Sequence, residues 1–216
     1  MTSETRVFVE PVPLAGRLHV MGVEQNVLRD AVEFGMRHAF DCTRHEPPNL
    51  PGILAWGKTV RSLRDSLVPQ GWKASNARNY ATVIHPGGTY AIAVAAGNSN
   101  TGVSDQTPST RAEKGPATRD AVHLNQLTFW DISESFPRPE LVPGTQTWLL
   151  LHYADEETEE IRLELSLPAG MTSDGHVTVW QERLILSPVP FFTRPSVSTE
   201  QSEGEDVQVD VQRRVS

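Results

Sequence analysis

The sequence predicts an α+β fold: an antiparallel sheet of about five strands with two N-terminal helices packed on it and a disordered C-terminal tail. Three observations lead there. Apolar residues recur at helical spacing in the first third of the chain and at a period of two afterwards. The later period-two runs are joined by short polar turns, which favours antiparallel pairing. The last stretch, from Thr193 on, is Ser, Glu, Asp, Val and Gln with no apolar period, too little to offset the entropy of ordering. Helices first and strands later, without βαβ alternation, give the class. The domain reading is one domain over residues 1–192 and an acidic tail over 193–216.

The first helix is expected over residues 24–40, where Leu28, Val32, Gly35 and Ala39 form a stripe that Val27 and Ala31 widen. Glu24 near its start and Arg37 and His38 near its end suit the helix dipole, and Pro47-Pro48 block continuation. A second helix opens near Pro51, with Asn49 as cap. Ile53, Trp56, Val60, Leu63 and Leu67 keep the apolar spacing to its end at Pro69 and Gly71, which makes Trp56 a core residue.

The period then changes. Residues 80–85, the turn Pro86-Gly87-Gly88 and residues 89–96 read as a β-hairpin. Its second strand puts Tyr90, Ile92 and Val94 on one face and Ala91, Ala93 and Ala95 on the other. An all-alanine face allows close approach, so one of the two N-terminal helices is expected to dock there. Residues 97–116 form a long polar loop, a length that tends to be functional or disordered. A short helix over 117–127 presents Ala117, Ala121, Leu124 and Leu127, and the proline-rich residues 136–144 read as a connector. Strands are expected at 145–153, 160–167 and 177–186. In the middle one Ile161, Leu163, Leu165 and Leu167 point inward and Arg162, Glu164 and Ser166 outward.

Composition narrows the function classes. The 216 residues include a single cysteine, Cys42, which suits a reducing compartment and a cytoplasmic location. No apolar run reaches the ~18 residues of a membrane span, and no basic n-region precedes an apolar run at the N-terminus. The net charge of −8 disfavours nucleic acid unless cations are segregated; Lys58, Arg61, Arg64, Lys73 and Arg78 are the candidates for such a patch.

Several constellations could carry chemistry. His38, Cys42 and His45 are spaced as metal ligands on one helical face, provided the helix reaches His45; the simpler reading makes Cys42 a small core residue. Gly97 to Ser104 copies the glycine spacing of a phosphate loop, but Val103 stands where the lysine belongs, so a P-loop is rejected. A looser anion site survives, built from Arg111, Lys114 and Arg119 beside a helix start. It requires those three side chains to converge. His85, His123 and His152 are acid–base candidates that need an orienting carboxylate. The acidic run from Asp155 to Glu160 lacks the ligand pattern of a calcium loop and reads as a solvated hairpin turn. No cofactor is identified. The leading expectation is a non-catalytic binding or accessory protein in an intracellular assembly, with another protein as partner. The alternatives are a small-molecule or nucleotide/phosphate-handling protein using the 97–119 loop, and a nucleic-acid-binding accessory protein.

Overall fold

In the computed structural model, residues 5–129 and 144–191 are described. The tail over 193–216, Trp130 and nearly all of the 136–144 connector lie outside them. The element order is β1 (Arg6–Phe8), α1 (Pro11–Val20), α2 (Gln25–Phe40), α3 (Leu50–Leu67), β2 (Lys73–Ser75), β3 (Thr82–Ile84), β4 (Tyr90–Ala96), α4 (Pro116–Phe129), β5 (Gln146–Asp155), β6 (Glu160–Met171) and β7 (Val177–Pro190). The strands form one seven-stranded sheet in the order β1-β7-β6-β5-β4-β3-β2. No helix among the described residues is long and apolar enough to cross a membrane.

The expected antiparallel sheet of about five strands with two N-terminal helices is therefore corrected. The sheet is mixed: β4 runs parallel to β5 and β1 parallel to β7, while the remaining neighbours are antiparallel. The reason lies in the link between β4 and β5. Residues 97–145 are long enough to cross one face of the sheet, with α4 inside the crossing, and they return the chain to start β5 alongside the start of β4. A third N-terminal helix, α1, begins with Pro11 in its first turn, and it was missed because two prolines and a glycine dilute its stripe.

The two faces are covered differently. α1, α2 and α3 pack on Ile92, Val94, Trp148, Leu150, Leu163, Leu165 and Leu184. α2 and α3 touch closely at Gly35, where an added Cβ would lie 2.5 Å from the Ala55 carbonyl oxygen and 2.9 Å from the Thr59 nitrogen. Overpacking such a contact forces backbone shifts. On the opposite face, Ala93, Ala95, Leu149 and Leu151 meet Val122 of α4 and Trp180. The alanine face thus receives α4 and not an N-terminal helix. Asn125 fastens α4 there. Its Nδ2 donates to the carbonyls of Thr147 (2.9 Å) and Pro168 (3.1 Å), and its Oδ1 accepts from Thr147 N–H (2.9 Å).

The polar side of β6 is also buried, contrary to the expected outward orientation. Glu164 and Ser166 are fully buried. Glu164 Oε2 accepts from Gly102 N–H at 2.9 Å. Arg183 beside it donates to the carbonyls of Gln106 (2.7 Å) and Val103 (2.9 Å), and Trp180 Nε1 donates to that of Pro108 (2.8 Å). The long loop is a fixed cover whose backbone polar groups are satisfied from beneath.

Candidate cleft at the start of α4

β3 pairs with β4 only up to Ala93, and the Ala96 carbonyl at the end of β4 accepts from Arg111 N–H at 2.9 Å, so the gap in the ladder lies at Val94 and Ala95. The chain fills part of that gap with a tight turn at Ala77–Asn79, in which Arg78 (φ 54°) and Asn79 (φ 59°) are both left-handed. Side chains other than glycine pay strain there, and such strain clusters at binding sites. A cleft of about 370 Å³ opens beside the turn. Trp56 of α3 stands on one side and Gly115 to Thr118 at the start of α4 on the other, with Val94, Ala95 and Leu149 as an apolar wall and Arg78, Tyr80 and Lys114 as polar groups.

These groups favour negative charge. The first intrahelical bond of α4 runs from Arg119 N–H to the Gly115 carbonyl at 3.2 Å. Pro116 has no N–H, so the amides of Ala117 and Thr118 are the donors that the helix leaves at its start. Lys114 is half-buried, and burial lowers its pKa. Its ammonium has no ion-pair partner among the described residues. Arg78 is paired with Asp120, and both are substantially exposed. The Tyr80 hydroxyl is buried with no hydrogen bond of good geometry. Burial drives its pKa upward, and neighbouring Thr118 offsets this only in part. His152, one strand from the end of β4, is 6% exposed and its Nε2 has no hydrogen-bond partner among the described residues. Burial, and secondarily the charge of Lys114, push its pKa down to about 4, so its imidazole is neutral at pH 7.

Of Arg111, Lys114 and Arg119, only Lys114 lines the cleft; Arg111 and Arg119 are exposed. The three do not converge there. The residues that sequence reasoning missed are Arg78, Tyr80 and Trp56. Trp56, expected in the core, is 42% exposed, and Ile53 one turn earlier is 50% exposed, while Ala55 between them is buried. The left-handed Arg78-Asn79 pair has no glycine to signal it, although Asn is enriched in that conformation.

The other candidates fall elsewhere. α2 ends at Phe40, so His45 lies beyond it in an exposed turn and does not share a helical face with His38 and Cys42. His38 Nδ1 is 2.8 Å from the Phe34 carbonyl, and Cys42 Sγ donates to that of His38 at 3.8 Å. Among the described residues no three His, Cys, Asp or Glu side chains are grouped to hold a metal. His85 Nδ1 accepts from Gly87 N–H at 3.0 Å and its ring packs edge-on against Trp72, a turn-forming role. His123 is exposed on α4. The acidic run forms the β5–β6 turn, with Asp155 Oδ1 accepting from Glu157 N–H at 3.1 Å. In the proposed nucleic-acid patch, Arg64 donates to the carbonyls of Ser75 and Thr82, Arg61 pairs with Asp65, and Arg78 with Asp120, leaving Lys58 and Lys73.

Comparison with known proteins gives no match at the level of family models, curated sequences or solved structures.

Proposed function

We propose that this chain is a non-catalytic binding protein that holds a small anion in the cleft between α3 and α4. The observation that carries the reading is Lys114, a half-buried ammonium without a counter-charge among the described residues, lining the same cleft as the start of α4. A desolvated cation next to a helix N-terminus gains most from a carboxylate or phosphate, because the charge–dipole attraction acts at reduced dielectric. The apolar wall and the few polar groups match the usual make-up of a small-ligand site.

The test is a thermal-shift series with inorganic phosphate and acetate. A ligand at 100 times its dissociation constant adds about 2.7 kcal/mol, which for a chain of this size raises Tm by roughly 2–4 °C per kcal/mol. The shift is expected to vanish in Lys114→Ala and to persist in Lys114→Arg. An absent shift, or one that Lys114→Ala leaves intact, removes the reading.

A second reading, an accessory protein within a larger assembly, is favoured by the exposed pair Ile53 and Trp56 on successive turns of α3. Under it, Ile53→Asp abolishes binding to a protein partner without altering the anion-induced shift.

A further inference from the structure

Resting on the anion-cleft reading above, we infer that the preferred ligand is a singly charged acid carrying one aromatic ring. Charge comes first. Of the two cations that line the cleft, Arg78 is neutralised by Asp120 and Lys114 is not. The remaining positive charge is that of one ammonium plus the fractional charge of the α4 start. That balance suits one negative charge. A triphosphate would bring several charges into a cleft that can match one, next to a chain whose net charge is already −8.

Shape comes second. The volume of about 370 Å³ lies at the small end of ligand sites, room for a single ring and its acid group. Part of the lining is apolar, formed by Val94, Ala95 and Leu149. Trp56 stands at the cleft with 42% of its surface in water, and no aromatic ring among the described residues stacks on it. A ligand ring stacked on it would bury apolar surface on both partners and gain the offset-stacking energy of an aromatic pair. Tyr80 also lines the cleft, with its hydroxyl buried behind the surface.

The ligand therefore lies with its carboxylate at Lys114 and the amides of Ala117 and Thr118, and with its ring between Trp56 and the apolar wall. A bare inorganic anion would use the first half of this arrangement and leave the second in water.

The experiment is calorimetric titration of the full chain with acetate, phenylacetate, cyclohexylacetate and tripolyphosphate. Phenylacetate is expected to bind about tenfold or more tighter than acetate and also tighter than cyclohexylacetate, whose ring is more apolar but not planar. Trp56→Ala should bring phenylacetate down towards acetate. Equal binding of acetate and phenylacetate overturns the ring while the anion cleft stands. Equal binding of the two ring acids overturns stacking in favour of simple apolar burial. Tighter binding of tripolyphosphate overturns the single-charge argument. No binding of any of the four removes both this inference and the anion cleft. Should Trp56→Ala fail to fold, Trp56→Phe serves, with an intermediate affinity for phenylacetate expected and an unchanged one counting against the stack.

Discussion

Arg183 and Glu164 form a buried ion pair, Nη2 to Oε2 at 2.6 Å, with side chains 3% and 0% exposed. Both partners also hold the loop that crosses over them, through Gly102, Val103 and Gln106. Removing one partner leaves an uncompensated charge in the interior. Arg183→Met or Glu164→Leu alone should destabilise the chain by about 3–5 kcal/mol. The double substitution should recover part of that loss, although the amide of Gly102 stays unpaired. Urea denaturation midpoints measure this. Single variants within about 0.5 kcal/mol of wild type, the range of ordinary surface changes, would show that the loop is held by other contacts.

Asn125 makes its three hydrogen bonds to Thr147 and Pro168 inside the packing between α4 and the sheet. Asn125→Leu leaves the Thr147 N–H and two carbonyls without partners. A loss of about 2–4 kcal/mol follows, since each buried unsatisfied group costs roughly 1–3 kcal/mol. Gln126→Ala is the control, because Gln126 is exposed and its loss should stay within about 0.5 kcal/mol. The proposed anion binding should weaken in Asn125→Leu and not in the control, because Asn125 holds the helix whose amides face the cleft. Equal stability of the two variants in equilibrium unfolding would contradict this anchoring role.

These two networks also mark how far the sequence could be read. The period-two runs located β4 to β7, and the proline and glycine stops bounded α3, because local propensity and burial agree in those segments. Sheet order depends on where the long link from Gly97 to Thr145 travels, and nothing local encodes that path. Glu164 was expected on the solvent side since alternation reports only which residues share a face, not what later covers it. Lys114 was legible as a cation beside a helix start. Arg78 and Tyr80 were not, because they reach the cleft through a left-handed turn and a gap in the β3–β4 pairing that exist only in the folded chain.

His152 titrates differently in the folded and unfolded chain. Its folded pKa is depressed to about 4 from an ordinary 6.5. Above pH 6.5 both states are neutral and the difference contributes nothing against folding. As pH falls through 6.5 the unfolded chain takes up the proton first, so stability drops, and the decline levels off near pH 4, where the folded imidazole also protonates. The total loss from this one group is about 3 kcal/mol, at 1.36 kcal/mol per unit. His152→Leu should flatten the stability profile between pH 6.5 and 4 relative to wild type. Parallel profiles for the two proteins would show that His152 is not held neutral.

Arg78 tests whether the strained turn serves binding or folding. A left-handed conformation costs a non-glycine residue roughly 1–2 kcal/mol, and glycine removes that strain but adds freedom to the unfolded chain. Arg78→Gly also loses the exposed pair with Asp120, which is worth about 0–1 kcal/mol. These contributions nearly cancel, so stability should change by less than about 1 kcal/mol. Binding should respond differently. With Arg78 gone, the cleft lining loses one of its two cations, so phosphate and acetate affinity should fall several-fold. The companion variant Asn79→Gly keeps both charges and relaxes only the backbone, so it should leave affinity close to wild type. Unfolding midpoints and calorimetry on the two variants separate the cases. If Arg78→Gly loses stability and keeps its affinity, the turn is a folding element, and the cleft beside it has no need of an arginine.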